Sequence, residues 1–258
     1  MNRPAAYIFD LDGVVYHGNK VISGSGKTIE HIRASGSRVI FMTNNATLSR
    51  DSIALKLNDM DICCSAGDVI SSAYAAAVHI KEHYGPSIIF PIGGQGLVSE
   101  LEEAGHTIAK QDVDFVVVGL DKEFTYQKLT LGLDNIINGA KFIATNTDAM
   151  LPVENGFLPG AGSMVSALKT ASGIEPEVIG KPHKPIMDVL LSKYSLKSED
   201  CIMVGDRLET DILAGLTLGM HTILVLTGAS GIKDIESSGI RPGCVMNSIA
   251  DIISQVNA

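Results

Sequence analysis

The chain has 258 residues, 45% of them hydrophobic and 19% charged, enough for one large domain or two modest ones, each with its own core. Lys plus Arg number 20 against 29 Asp plus Glu, a formal charge of −9, and an acidic surface disfavours nucleic acid and anionic membranes as partners. An anionic substrate would therefore need local positive charge from a metal ion and from a placed cation, here Lys181.

Apolar runs of strand length alternate with segments of helical period, the pattern of parallel βαβ units rather than of a bundle or sandwich. Ala5 to Phe9 reads as a first strand. Ile29 and Ile32 mark one face of a helix ending near Gly36, and Arg38 to Met42 reads as the next strand. Ser49 is a good N-cap for a helix spaced by Ile53, Leu57 and Met60, and Ser71 to His83 reads as a longer helix closed by Tyr84, Gly85 and Pro86. A second rhythm follows: strand Ile88 to Pro91, helix Leu97 to Ala104, strand Phe115 to Val118, helix Thr125 to Asn138, strand Phe142 to Thr145. A polar loop is expected from Asn146 to Gly162, then a helix near Ser163 to Ser172. From Val178 the first pattern resumes, with Pro185 in the opening turn of a helix carrying Ile186, Val189 and Leu190. Strand Cys201 to Val204, helix Glu209 to Leu218 and strand Thr222 to Leu226 complete it. The expected architecture is a doubly wound α/β core, residues 1–85 and 177–258, interrupted by a smaller α/β insertion, residues 86–176, covering the site.

Four segments carry chemistry: DLDG at Asp10 to Gly13, TNN at Thr43 to Asn45, GKP at Gly180 to Pro182 and GDRLETD at Gly205 to Asp211. The first, second and fourth follow apolar strands, and ligand sites of open α/β sheets lie at strand ends. In a continuing strand, Asp10 and Asp12 would share one face; their mutual repulsion calls for a hard cation such as Mg²⁺. Gly13 permits a sharp turn and exposes backbone donors. Thr43 offers a hydroxyl, and it and Asn44 offer backbone amides, to the oxygens of a phosphate. Lys181 is the candidate fixed cation for the transferred group, and Asp206 with Asp211 forms an acidic pair after a strand. Taken singly, these are a strand-ending turn, a polar cap, a surface lysine and an acidic helix turn. As a set they supply what phosphoryl transfer through an aspartyl phosphate requires.

The ordered set resembles the haloacid dehalogenase superfamily of phosphohydrolases over essentially the whole chain. The spellings DGVVYHG, VVVGLDKEFTY, FIATNTD and LPGAGSMV are further similar to its NagD-like, 4-nitrophenylphosphatase branch, which carries an α/β cap between the second and third motifs. The resemblance implies that Asp10 is the nucleophile and Asp12 the general acid and base. It implies Mg²⁺ held by Asp10, the Asp12 carbonyl and Asp206, with Asp211 a further ligand directly or through water, and a phosphoryl group held by Gly13, Thr43, Asn44 and Lys181. The expected substrate is a small phosphate ester such as a sugar phosphate, nucleoside monophosphate or phosphoglycolate, with Asp121, Asn146 and Asp148 as leaving-group contacts from the cap. A homo-oligomer is compatible with all of this.

Two other readings compete. IGGQGLV at Ile92 to Val98 follows a strand like a dinucleotide-binding turn, but Ser99 stands where a third small glycine belongs. A noncatalytic phospho-aspartate switch uses the same residue types, without a large insertion and in about half the length. The N-terminal MNRPAAYIFDLDG lacks a basic-then-apolar signal and no stretch is long enough for a membrane span, so a cytoplasmic location is expected. Cys63, Cys64, Cys201 and Cys244 show no zinc or disulfide spacing and read as buried thiols in strands.

Overall fold

A computed structural model describes residues 3–153 and 156–256. In chain order, β1 is Ala6–Phe9, β2 Tyr16–His17, β3 Lys20–Val21, α1 Ser25–Ala34, β4 Arg38–Thr43, α2 Arg50–Asn58, β5 Val69–Ser71 and α3 Ser72–Tyr84. The middle of the chain gives β6 Ile88–Ile92, α4 Gln95–Glu103, β7 Thr107–Ile108, β8 Phe115–Val118, α5 Tyr126–Ile137, β9 Lys141–Ala144, β10 Met150–Val153, β11 Gly156–Pro159, α6 Ala161–Ser172 and β12 Glu177–Val178. The remainder is α7 Lys184–Tyr194, β13 Cys201–Gly205, a π-helical turn Leu208–Ile212 running into α8 Leu213–Thr217, β14 His221–Val225, α9 Ile232–Ser238, β15 Cys244–Met246 and α10 Asp251–Val256.

Two parallel sheets dominate, as the α/β alternation predicts. The six-stranded sheet has the order β15-β14-β13-β1-β4-β5, and the five-stranded sheet β12-β9-β8-β6-β7. β1 is central in the first and wholly buried, with Ala6 to Phe9 paired to Arg38 to Phe41 on one side and to Cys201 to Val204 on the other. Strands covered on both faces read as unbroken apolar runs, which is why AYIF and VIFM are legible without alternation. In the second sheet Phe90, Ile92, Val116, Val118, Phe142 and Ala144 share one core with Ile136 of α5 and with Val165 and Leu168 of α6.

The chain forms two compact units. One comprises the chain up to Met42, Ala54–Val69 and everything from Leu190; the other comprises Thr43–Ile53 and Ile70–Val189. The expected borders at 85/86 and 176/177 differ from this division. β12 is the clearest case: it pairs with β9, Glu177 opposite Ile143, so the return of the pattern at Val178 belongs to the second sheet. Other elements depart from expectation too. The loop expected over 146–162 contains an antiparallel pair, Met150 opposite Pro159 and Leu151 opposite Leu158. β5 and β7 were hidden in short runs, Val69–Ser71 and Thr107–Ile108. The helix expected from Glu209 to Leu218 begins instead as the π turn. Of the four cysteines, Cys201 is buried in a strand and Cys244 lies in β15. Cys64 is buried outside any strand and Cys63 is exposed, so the expectation of buried strand thiols fails for the adjacent pair.

Candidate active site

The first unit gathers carboxylates. β1 stops at Phe9, and the Asp10 amide donates to the Val204 carbonyl at 2.9 Å, carrying the parallel ladder one residue past the strand. Asp206 follows the neighbouring β13, and Asp211 lies five residues on, in the π turn. Each of Asp10, Asp206 and Asp211 offers a carboxylate oxygen within 4.8 Å of the other two; Asp206 and Asp211 are buried and Asp10 half-buried. Three anionic groups this close repel unless a cation joins them. An all-oxygen donor set suits a hard divalent ion, so these residues fit Mg²⁺.

Small residues let the cluster close. A Cβ on Gly205 would lie 2.1 Å from the Asp211 Cβ, one on Gly228 2.0 Å from Asp206 Oδ2, and one on Gly13 2.6 Å from the same oxygen. Gly13 also has φ +87°, the left-handed turn expected of it. The segment after β14 completes the support, and it escaped the sequence reading. The Ala229 amide donates to Asp206 Oδ2 at 2.7 Å, the Ser230 amide to the Asp206 carbonyl at 2.9 Å, and the Thr227 hydroxyl to the Gly13 carbonyl at 2.6 Å. Its signal is the run of small residues TGAS after an apolar strand. Asp211 in turn accepts from the Arg207 amide at 3.1 Å, closing the π turn on itself.

Asp12 stands apart from this cluster, because the strand does not continue and the shared-face expectation for Asp10 and Asp12 lapses. Its side chain is exposed, with Oδ2 3.4 Å from the Gly18 amide and Oδ1 3.9 Å from His17 Nδ1. Nearby, burial raises the Tyr16 phenol, helped by the charges of Asp12 and Asp10. Lys56 lies 4.0 Å above the Tyr16 ring; burial lowers its pKa while Asp12 opposes the shift.

The second unit gathers neutral hydrogen-bonding groups around the main chain of Lys181. Thr43 ends β4 and is buried, its hydroxyl oxygen accepting from the Asn45 amide at 3.1 Å. The Asn44 side chain bonds the Lys181 main chain twice, at 2.8 and 3.0 Å. Asn146 donates to the Asn44 carbonyl at 2.8 Å and accepts from the Asp148 amide at 3.1 Å. Lys181 is 5% exposed, unlike the surface lysine its type suggests. Asp121 is engaged elsewhere: it is buried, pairs with Lys128 Nζ at 2.7 Å and caps the Glu123 amide at 2.8 Å. A structural role thus accounts for both its oxygens. The glycine turn at Ile92 to Val98 is likewise filled by protein, since a Cβ on Gly96 would lie 2.4 Å from the Leu48 carbonyl carbon.

A family model described as haloacid dehalogenase-like hydrolase matches residues 7–107, and a second, HAD-hydrolase-like, matches 178–252. Over 243 residues the chain is 40% identical to an acid sugar phosphatase of Staphylococcus epidermidis, covering 94% of each. The chain belongs to the haloacid dehalogenase-like hydrolases. This hydrolase also superposes on a p-nitrophenyl phosphatase from Archaeoglobus fulgidus with TM-score 0.94 at 32% identity, over 98% of this chain and 99% of that one. A 4-nitrophenylphosphatase from Thermotoga maritima gives 0.93 at 32% identity over 97% of both. The hydrolase therefore stands with the family's phosphatases, in the branch that the motif spellings suggested.

Proposed function

We propose that this hydrolase cleaves phosphomonoesters of small metabolites, sugar phosphates first among them, through an aspartyl phosphate on Asp10. The observation that carries the reading is the cluster of Asp10, Asp206 and Asp211 at the ends of two adjacent parallel strands. Its similarity to acid sugar phosphatases over nearly the whole chain supports sugar phosphates over the nucleotide and glycolate esters.

Asp10 attacks phosphorus in line with the ester oxygen; a bond from its carboxylate to phosphorus forms as the ester P–O bond breaks. Asp12 gives its proton to the departing alkoxide, then removes one from the water that attacks the aspartyl phosphate, releasing phosphate and returning Asp10 to its carboxylate and Asp12 to its protonated form. Thr43, Lys181 and the amides of Gly13 and Asn44 hold the phosphoryl oxygens. Asp10, Asp206, Asp211 and the Asp12 carbonyl would hold Mg²⁺; charge neutralisation at the carboxylates and phosphoryl oxygens is what that ion supplies. The segment 86–176 around the second sheet selects the leaving group, with Asn146 and Asp148 nearest the Lys181 main chain through Asn44.

Phosphate release from a panel of sugar phosphates, nucleoside monophosphates and phosphoglycolate tests the reading. Hydrolysis should stop in excess chelator and return with Mg²⁺. Undiminished hydrolysis in chelator would overturn the metal assignment, and a flat panel would overturn the sugar phosphate preference.

A further inference from the structure

Both polar ends of the Asn44 side chain are taken by one residue. Oδ1 accepts from the Lys181 amide at 2.8 Å, and Nδ2 donates to the Lys181 carbonyl at 3.0 Å. Donor meets acceptor at each end, so the bonding pattern itself fixes which way the carboxamide points. Nδ2 also donates to Asp148 Oδ2 at 3.4 Å. The Asn44 main chain is held as well, its carbonyl accepting from Ser72 Oγ at 2.7 Å and from Asn146 Nδ2 at 2.8 Å. Gly180 makes the approach feasible, since a Cβ there would lie 2.6 Å from Asn44 Oδ1 and 2.5 Å from the Thr145 carbonyl oxygen.

Asn44 is thus the residue after Thr43, and it grips the main chain of Lys181. We propose that Asn44 is a positioning residue acting through Lys181. Its side chain sets the register of the Lys181 main chain against the Thr43 turn and, through Asp148 and Asn146, ties that register to the loop after β9. The inference rests on the phosphatase reading, in which Thr43 and Lys181 hold the same phosphoryl group. A hydroxyl and an ammonium that must meet one tetrahedral anion need a fixed separation, and the doubly bonded carboxamide fixes it. Because every phosphomonoester shares the phosphoryl group, a loss at Asn44 should be common to all substrates.

The test is a double-mutant cycle with Lys181, using 4-nitrophenyl phosphate and one sugar phosphate. Asn44→Ala should lower kcat/KM by about tenfold to a hundredfold, the scale on which slight misplacement acts, and by a similar factor on both esters. In a Lys181→Met background the same substitution should cost less than about twofold, because the group it positions is gone. An undiminished cost in that background would overturn the proposal, while phosphate release from no ester by the wild-type protein would remove the phosphatase reading beneath it. Should Asn44→Ala fail to fold, Asn44→Asp keeps the acceptor for the Lys181 amide but sets a carboxylate against Asp148. Its loss in kcat/KM should be recovered by about threefold or more on adding Asp148→Asn, the usual range for neighbouring charges. No recovery would overturn the link to the loop.

Discussion

Asp10 and Asp12 are separated by one residue in sequence, yet one sits half-buried among carboxylates and the other is exposed beside a histidine and a glycine amide. Different surroundings argue for different tasks. Asp10→Asn should form no phosphoenzyme with any ester. Asp12→Asn keeps the nucleophile but loses proton transfer, so it should fail on sugar phosphates. With 4-nitrophenyl phosphate, whose phenolate leaves unprotonated, it should give a burst of nitrophenol and then a slow steady state. Mass spectrometry of acid-quenched protein should then find one phosphoryl group on Asp10; no burst and no adduct would reverse the assignment. Lys181→Ala should lower kcat/KM by roughly a hundredfold or more, the scale of one preorganised contact, with exposed Lys184, which pairs with Asp188, as control. The thiols divide in the same manner. Burial pushes Cys64 up to about 12 and Cys201 up to about 11, so native protein should react with a thiol reagent first at exposed Cys63. Rapid labelling of Cys201 in the folded enzyme would contradict its burial.

Elements that could be read from the sequence were those whose burial is two-sided or whose caps are explicit. β8 and the core of β4 declare themselves by unbroken apolar runs, and α5 by Thr125, whose hydroxyl accepts from the Lys128 amide at 3.2 Å. β5 and β7 were invisible because two or three residues cannot establish a period. The β10–β11 pair looks like loop in the sequence because Pro152, Gly156 and Pro159 are turn formers and the apolar residues Met150, Phe157 and Leu158 do not alternate with polar ones. In the site, DLDG and GDRLETD could be read because carboxylates at strand ends are unusual. The TGAS support could not, since its contribution is backbone amides and absent side chains. That contribution can be measured. Gly228→Ala should force Asp206 aside, at a cost of about 1–3 kcal/mol in stability as for other overpacked sites. It should raise the Mg²⁺ concentration needed for half-maximal activity more than Gly219→Ala, a turn glycine with open space around it but φ +72°. Equal effects of the two on the Mg²⁺ requirement would overturn the role given to the close approach of Gly228 to Asp206.

At the scale of the whole molecule, sequence identified two α/β parts and the order of the chemistry, while the borders between the parts eluded it. Thr43–Ile53 shares a compact unit with residues far along the chain because its contacts are with them. Arg50, for instance, pairs with buried Glu100 at 2.9 Å and lies 3.8 Å over the Tyr74 ring, contacts no local pattern can show. Acid should weaken the fold. Burial lowers His79, against an opposing pull from Glu177, and lowers His183. A histidine with a depressed folded pKa binds protons more readily when unfolded. Stability is therefore full above the ordinary value near 6.5 and is lost as pH falls below it. Melting temperature at saturating Mg²⁺ should drop from pH 7.5 to pH 5.5, less steeply in His79→Gln; a rise would refute the assignment. The arrangement of β1 also bears on how the protein is made. Its Ala6 pairs with Cys201, so during synthesis from the N-terminus one edge of this wholly buried strand waits for most of residues 1–201 to emerge. An open edge of that kind invites pairing with other chains. Nascent or truncated forms ending before β13 should therefore depend on chaperones to stay soluble and should hydrolyse nothing, because in them Asp10 has neither Asp206 nor Asp211 to meet.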